Sequence, residues 1–239
     1  MVTTYYNITA ENGPEISFAV AADLHNAEYD EVITRIKREK IDFIAIPGDL
    51  ISKKQGCERG YAFLREAAQL KPTFYEPGNH EKALDSDGLF DRSVVKESGV
   101  VLLENASIRF GDINIGGLSM QEPTDTEWLT KFAEKKGYKL LMCHRPEYYF
   151  QYISKLNIDI TVAGHAHGGQ IRLFGRGLFS PGQGLFPKYT SGVYDGRLIV
   201  SRGLTNTVVV PRINNEPELL VVSIHRLDKR LPSISSTSI

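Results

Sequence analysis

Short apolar runs alternate with longer amphipathic stretches over the first third of the chain, and this alternation limits the folds that the chain can adopt. The apolar runs at residues 16–22, 42–46 and 73–76 are predicted to be buried strands. Residues 28–39 and 58–70 carry apolar side chains at helical spacing and are predicted to be helices. Strand–helix–strand alternation of this kind predicts parallel pairing with right-handed crossovers.

The central part of the chain has a different pattern. Residues 100–103, 107–110 and 113–117 are predicted to be short strands, and because Asn, Gly and Asp turns separate them, we expect antiparallel pairing. A helix at residues 127–136 and further strands at 139–143, 158–163, 197–201 and 218–224 complete the set. These elements predict an α/β fold with two mixed β-sheets packed face to face and helices outside, a four-layer α/β/β/α sandwich. We expect one domain over residues 1–228 and a loose tail over residues 229–239.

Composition excludes several classes of protein. The 239 residues are 41% hydrophobic, which excludes disorder of the whole chain, and the net charge of −1 gives no global attraction to nucleic acid or to an anionic membrane. The only cysteines, Cys57 and Cys143, do not make a disulfide framework, so we expect reduced thiols, with Cys143 in the core. No stretch matches the roughly 20 apolar residues that span a bilayer, and no export signal is visible at the N-terminus. We therefore expect a cytoplasmic protein.

Five of the six histidines follow a predicted strand directly or lie in the turn after it. Loops at the carboxyl ends of strands converge on one crevice in α/β proteins, so we expect these side chains to meet. His225, at the end of a late strand, is the exception and is predicted to be a surface or structural residue. The polar clusters at the strand ends are Asp23 with His25, Asp49 after Gly48, Asn79 with His80, His144, and His165 with His167 between glycines.

Taken singly, most of these clusters are weak indications of a site. An Asp-x-His triplet is also a turn with a capping Asp, and Gly-Asp is a common turn dipeptide. If the chain is extended at Asp23 and His25, both side chains point the same way, with Leu24 turned into the core. Together, imidazole, carboxylate and amide oxygen without a nearby cysteine suit Mn, Fe or Zn. Seven ligands are too many for one transition metal, so we expect two ions.

The same residues resemble the five ordered motifs of the calcineurin-like metallophosphoesterases. The matching motifs are Asp23-x-His25, Gly48-Asp49, Gly78-Asn79-His80-Glu81, His144 and Gly164-His165-x-His167. Stretches at residues 168–172, 189–192 and 201–203 resemble a bacterial subgroup of YkuE-like and YaeI-like phosphoesterases, which is related to a UDP-2,3-diacylglucosamine pyrophosphatase. The resemblance implies the calcineurin-like phosphoesterase fold.

The resemblance also implies roles for the site residues. Asp23, His25 and His167 would hold one metal ion, and Asp49 would bridge to a second ion that Asn79, His144 and His165 complete. A metal-bridging hydroxide would attack a phosphomonoester, a phosphodiester or a pyrophosphate, with His80 off the metals as general acid or transition-state stabiliser. Two divalent ions against two carboxylates leave a positive pocket that attracts phosphate, and positioning and electrostatics then do most of the catalysis.

Substrate contacts and alternatives remain open at this point. Arg145 and Arg172 are candidates for binding substrate phosphate, and ordinary surface salt bridges are the alternative. Residues 174–189 are rich in Phe, Leu and Gly, and form either an apolar flap over an amphiphilic substrate or a plain loop packed on the second sheet. The expected partners are a small phosphorylated substrate, or a nucleotide- or lipid-linked pyrophosphate, with transient contact to a membrane surface and no nucleic acid. A non-catalytic metal-binding scaffold and a nuclease are the competing functions.

Overall fold

Two six-stranded mixed β-sheets form the centre of the molecule. The computed structural model describes residues 1–54, 56–119, 126–205 and 211–227. The first sheet has the order β1-β16-β2-β3-β4-β5. Its strands are β1 (Val2–Ala10), β2 (Ile16–Val20), β3 (Phe43–Pro47), β4 (Thr73–Glu76), β5 (Val101–Leu102) and β16 (Glu218–Arg226).

The second sheet has the order β14-β15-β9-β8-β7-β6. Its strands are β6 (Ala106–Phe110), β7 (Ile113–Gly117), β8 (Tyr138–Met142), β9 (Ile160–Ala163), β14 (Gly192–Tyr194) and β15 (Leu198–Val200). The strands β7, β8, β9 and β15 are parallel, and β6 and β14 pair antiparallel at the two edges. In the first sheet β16 pairs antiparallel with β2 and the other pairs are parallel, so both sheets are mixed, as the sequence predicts.

The helices lie mainly on the outer faces of the two sheets. They are α1 (Asp30–Arg38), α2 (Glu58–Leu70), α3 (Asn79–Ser86), α4 (Arg92–Glu97) and α5 (Thr126–Ala133). Helix α1 forms because Val32, Ile33 and Ile36 fall on one face and are buried together, while acidic residues begin the helix and basic residues end it. Helix α2 spans the predicted residues, and α1 and α5 are shorter than predicted.

Three clusters of buried side chains separate the layers. One packs α1 and α2 on the outer face of the first sheet, and a second packs α5 on the outer face of the second sheet. Between the sheets, Phe18 stacks on Phe43 with ring centroids 4.7 Å apart, and Phe74 and Phe110 meet Phe43 edge to face. Alternate residues of β2 and β3 enter alternate clusters, which is the two-residue period of a strand buried on both faces. The predicted four-layer sandwich is confirmed.

Two strand assignments differ from the sequence-based prediction. Residues 100–103 do not join the antiparallel strands that follow; β5 instead pairs parallel with β4 at the edge of the first sheet. The reason is that α3 and α4 form a crossover that returns the chain in the same direction. The antiparallel pairing of β6 with β7 is confirmed. Strand β1, which pairs parallel with β16, was not predicted.

Residues 172–185 form two short hairpins beside the second sheet. The first joins β10 (Arg172–Leu173) to β11 (Arg176–Gly177), and the second joins β12 (Phe179–Ser180) to β13 (Gly184–Leu185). In the segment predicted as a flap or a plain loop, residues 174–189, the pairs 176–177, 179–180 and 184–185 are strands, and the remaining residues are turns and loop. The predicted tail, residues 229–239, lies outside the described residues. Among the helices that the structure describes, none is long and apolar enough to cross a bilayer.

Candidate metal centre

The predicted ligand residues converge at the carboxyl ends of five strands. Asp23 and His25 follow β2, Asp49 follows β3, Asn79 follows β4, His144 follows β8, and His165 and His167 follow β9. The first four lie in the connections after strands of the first sheet, with Asn79 as the first residue of α3, and the last three follow strands of the second sheet. The crevice between the two sheets thus brings together residues that are up to 144 positions apart, as the position of each cluster predicts.

Two groups of three potential ligands stand side by side in this crevice. Asp23, His25 and His167 each offer an atom within 4.8 Å of the others, and so do Asp49, His144 and His165. The carboxylate of Asp49 lies between the groups, with Oδ2 3.1 Å from His144 Nε2 and 3.9 Å from His25 Nε2.

Asn79 lies against the second of these groups. Its Oδ1 is 3.1 Å from His144 Nε2, and His144 Nε2 is 3.2 Å from His165 Nδ1. All seven predicted ligands are therefore brought together.

The backbone at these residues is not extended, which corrects the reasoning that placed Asp23 and His25 on one side of a strand. The φ angles are 57° at Asp23, 49° at His25 and 53° at Asp49. His165 and His167 are also in the left-handed region, which non-glycine residues adopt rarely and at a cost. Leu24 is nevertheless buried in the core, as predicted. The side chains converge because tight left-handed turns aim them at a common point.

Gly48 allows the two sheets to approach each other at the site. Its φ is +80°, and a Cβ at this position would lie 2.5 Å from Nδ1 of His144. That imidazole nitrogen is 2.9 Å from the carbonyl oxygen of Pro47, which orients the ring. A side chain at residue 48 would push His144 away from Asp49, so the glycine is required by both the backbone angle and the close contact.

Buried nitrogen atoms without partners indicate that the site fits metal ions. Among the described residues, neither ring nitrogen of His25 has a hydrogen-bond partner, and the same holds for Nε2 of His165. Leaving a buried polar group unsatisfied costs about 1–3 kcal/mol, so these atoms are suited to an additional ligand. Burial also holds the pKa values of His25 and His165 well below their usual range, which keeps both rings in the neutral form that coordinates metals.

His144 and Asp49 form an ion pair when no metal competes. Burial lowers the pKa of His144, but the charge of Asp49 outweighs it and raises that pKa to about 10. Burial raises the pKa of Asp49, and the charge of His144 more than offsets it, so the carboxyl pKa ends well below its usual range. Burial dominates at Asp23 and raises its pKa. Metal ions would replace the proton of His144 as the partner of Asp49.

His80 stands at the mouth of the site. Its side chain is 34% exposed, whereas His25, His144, His165 and His167 are buried. Nε2 of His80 is 3.9 Å from Asp49 Oδ2, its ring meets that of His25 edge to face, and its backbone N–H donates to Asp49 Oδ1 over 2.9 Å. It also forms a group within 4.8 Å with His25 and Asp49. This position between the ligands and solvent suits contact with a substrate.

The two predicted substrate arginines have different surroundings. Arg145 follows His144, its guanidinium carbon is 5.9 Å from the centre of the Tyr148 ring, and its buried Nε has no hydrogen-bond partner among the described residues. Nη1 of Arg172 donates to the carbonyl of Gly168 over 2.9 Å, and Nη2 donates to that of Gly175. Arg172 thus ties the first hairpin to the loop that carries His167, and its contact with substrate stays a prediction.

Two side chains near the ligands were not assigned a role from the sequence. The buried carboxylate of Glu81 accepts hydrogen bonds from the backbone N–H groups of Asp49, Leu50, Ile51 and Gly78 over 2.7–2.9 Å. Nη2 of Arg212 lies 3.3 Å from Nδ1 of His167 and donates to the carbonyl of Thr205. Glu81 is adjacent to the Asn79-His80 pair and could have been found there, whereas Arg212 is 45 residues from His167 and no local pattern points to it.

Predictions away from the centre are also met. His225 is a surface residue, with Nδ1 3.1 Å from Oε2 of Glu15. Cys57 and Cys143 are free thiols, and Cys143 is buried.

Comparison with known proteins identifies the family. The profile of the calcineurin-like phosphoesterase family matches residues 16–169, which contain all seven ligand residues and His80. The chain belongs to this family and is a metal-dependent phosphoesterase.

Similar chains are found in Bacillus subtilis strain 168. YpbG is 26% identical to this chain over 88% of this chain and 82% of its own length. The metallophosphoesterase YkoQ is 26% identical over 86% of this chain and 81% of its own length. The metallophosphoesterase YkuE is 24% identical over 85% and 77%.

Solved structures resemble the chain more distantly. TT1561 of Thermus thermophilus aligns with a TM-score of 0.48 and 13% identity over 63% of this chain and 82% of its own. Purple acid phosphatase PPD1 from yellow lupin aligns with a TM-score of 0.44 and 16% identity over 94% and 47%. Similarity at this level does not bear on the substrate.

Proposed function

We propose that the chain hydrolyses a phosphomonoester, phosphodiester or pyrophosphate bond at a centre that holds two divalent ions. Asp23, His25 and His167 would bind one ion, and Asn79, His144 and His165 would bind the other. The observation that carries this proposal is the position of Asp49, whose carboxylate lies between the two groups and is suited to ligate both ions.

Manganese, iron or zinc ions bound there would neutralise phosphate charge and lower the pKa of water to about 7. The chain's own residues orient the substrate and move the proton. His80 Nε2, at the mouth of the site, would donate a proton to the leaving oxygen. Arg145, with an unpartnered Nε beside His144, would bind a non-bridging phosphate oxygen. Glu81 would hold the Asp49 loop in place through its four backbone hydrogen bonds.

The charge distribution favours a small phosphorylated molecule, or a nucleotide- or lipid-linked pyrophosphate, over nucleic acid. With 28 basic and 29 acidic residues, the chain lacks the net positive charge typical of nucleic-acid binding. The complete ligand set and the partly exposed His80 favour an enzyme over a non-catalytic scaffold.

A hydrolysis panel tests the reaction. The purified chain is assayed with an aryl phosphomonoester, an aryl phosphodiester and a nucleotide-sugar pyrophosphate, each with Mn²⁺, Fe²⁺, Zn²⁺ or a chelator. We expect metal-dependent turnover of at least one substrate class, and none in the chelator. If the protein binds metal but hydrolyses none of the three classes, it is a scaffold and the proposal is wrong.

The shared role of Asp49 is tested by metal content. Asp49→Asn keeps an oxygen that can accept the N–H of His80 but removes the negative charge that lies between the two ligand groups. We expect it to lose both ions, measured by mass spectrometry of the dialysed protein, while Asp112→Ala in an exposed turn keeps both. Two fully occupied sites in Asp49→Asn would reject the assignment of Asp49 as the shared ligand.

A further inference from the structure

The two hairpins beside the metal centre present bulky apolar side chains to solvent. Phe174 is fully exposed in the turn of the first hairpin, and Leu185 and Phe186 at the end of the second are 73% and 80% exposed. We call Phe174, Leu185 and Phe186 the hairpin patch. Exposed apolar side chains clustered in so short a segment are typical of an interaction surface.

The two hairpins form one continuous surface. The backbone N–H of Phe186 donates to the carbonyl of Leu178 over 2.9 Å, which extends the second hairpin to the residue that links it to the first. Leu173, Arg176, Phe186 and Lys188 all line one surface groove of about 710 Å³. Phe186 of the patch therefore borders a groove that is lined by both hairpin segments and is large enough for several methylene groups.

The exposed charged side chains of the hairpin segment itself have one sign, whereas the carboxylate of Glu147 lies against the turn of the second hairpin at Gly182. Arg176 and Lys188 are exposed, and within the described residues neither forms a salt bridge with a carboxylate. The sequence has no Asp or Glu between Asp159 and Asp195. A nearly neutral chain thus carries a local surface with an apolar centre and a cationic rim. This combination is complementary to an anionic lipid bilayer, in which apolar side chains enter below the headgroups and cations meet the phosphates.

The patch is attached directly to the loop that carries the metal ligands. The N–H of Leu178 donates to the carbonyl of Gly169 over 3.1 Å, two residues beyond His167. In the turn of the second hairpin, a Cβ on Gly182 would lie 3.3 Å from Nε2 of His165. A bilayer that touches the patch would therefore place its headgroup phosphates close to the metal centre.

We propose that the hairpin patch binds the surface of an anionic lipid bilayer, inserting Phe174, Leu185 and Phe186 among the headgroups. The bound protein would act on phosphate groups held at that surface, a step that rests on the proposed function. Binding to the bilayer does not depend on that function, because neither the patch nor its cationic rim includes a predicted metal ligand.

Vesicle co-sedimentation of the full chain tests this proposal. We expect binding to vesicles of phosphatidylcholine with phosphatidylglycerol, weaker binding to phosphatidylcholine alone, and loss of binding in high salt. The double variant F174S/F186S should bind about 100-fold more weakly, about tenfold for each phenylalanine. The variant R176Q/K188Q should lose about 25-fold on anionic vesicles only. The control Leu89→Ser, at a 55% exposed leucine between α3 and α4, should bind like the wild type.

Two results would overturn the proposal. One is equal sedimentation of the wild type, F174S/F186S and R176Q/K188Q, or no vesicle binding at all. The other is that sedimentation velocity shows a dimer for the wild type and a monomer for F174S/F186S, and that neither protein binds vesicles. This result would assign the patch to contact with a second copy of the chain.

Hydrolysis of a soluble aryl phosphate should be the same in the wild type and F174S/F186S. Its absence from the wild type counts against the proposed function and leaves vesicle binding unaffected.

Discussion

At the scale of single residues, the position of His80 separates its role from those of the ligands. It is partly exposed, and its Nε2 faces Asp49 Oδ2 at 3.9 Å. We expect His80→Ala to retain both metal ions and to turn over about 10²–10⁴-fold more slowly than the wild type, because a general acid contributes about that factor to the rate. Metal content by mass spectrometry and hydrolysis rates are compared with those of His225→Ala, a surface control. Loss of metal would make His80 a ligand, and unchanged turnover would remove it from the mechanism.

The ion pair of His144 with Asp49 predicts how metal binding depends on pH. The pKa of His144 is raised to about 10 in the metal-free protein, against 6.5 for an ordinary histidine. The contribution of the His144–Asp49 ion pair to the stability of the metal-free protein is therefore fully present below about pH 6.5, and it is lost as the pH rises through about 10. A metal must displace this proton, so affinity should increase with pH across that window.

Calorimetry measures the displaced proton. Titration of Mn²⁺ at about pH 8 in two buffers with different ionisation enthalpies gives the number of protons released on binding. We expect His144→Asn to release about one proton fewer than the wild type, because its side chain carries no proton to displace. Equal proton release by the two proteins would contradict the ion-pair assignment.

At the scale of elements, Glu81 couples the start of α3 to the loop after β3. Its carboxylate accepts four backbone N–H groups, three from the Asp49 loop and one from Gly78. In Glu81→Gln, an amide group replaces the carboxylate and turns an N–H group toward backbone N–H groups that need an acceptor. We therefore expect the free energy of unfolding to fall by about 3 kcal/mol and metal binding to weaken. Urea denaturation of the metal-free protein and a metal titration measure the two effects. The control Glu97→Gln, at an exposed residue of α4, should change neither quantity. An equal loss in both variants would mean that the Glu81 carboxylate has no specific role in holding the Asp49 loop.

The elements that the sequence predicts well are those with a strong local pattern. The buried strands β2, β3, β4, β8 and β9 are apolar runs, and their assignment needs no knowledge of their partners. The sheet to which β5 belongs depends on how the chain returns through α3 and α4, which a count of turn residues does not reveal. Residues 5–10 of β1 alternate between exposed and half-buried, which is the local pattern of a half-buried strand and was missed. Its partner β16 begins 216 positions later, so the pairing itself is not a local property.

The candidate site follows the same rule. The identity of the ligands could be predicted because residue type and position after a strand are both local. The left-handed backbone at Asp23 and His25 could not, because it is imposed by contacts such as the N–H of Asp23 with the carbonyl of Gly48. The approach of Arg212 to His167 likewise depends on the folded chain, since these residues are brought together only by tertiary structure.

At the scale of the whole molecule, the metal centre joins the two sheets. Asp23, His25 and Asp49 belong to loops of the first sheet, and His144, His165 and His167 to loops of the second. The aromatic cluster around Phe43 holds the sheets together at their centre, while the carboxyl ends of the strands meet through buried, partly unsatisfied polar groups. Metal ions would supply the missing partners at that end, so metal binding and folding should be thermodynamically linked.

This linkage predicts a metal-dependent melting temperature. At a free Mn²⁺ concentration of about 100 times Kd, one site adds about 2.7 kcal/mol to the free energy of unfolding. For a domain of this size that corresponds to an increase of about 5–11 °C in the melting temperature. Scanning calorimetry with Mn²⁺ and with a chelator measures the difference. Asp49→Asn should show little of it, because it lacks the carboxylate that faces both ligand groups, while Asp112→Ala should behave like the wild type. The ligands come from both sheets, so a centre that joins the sheets should bind ions in the folded chain only. Ions that bind without raising the melting temperature would contradict such a centre.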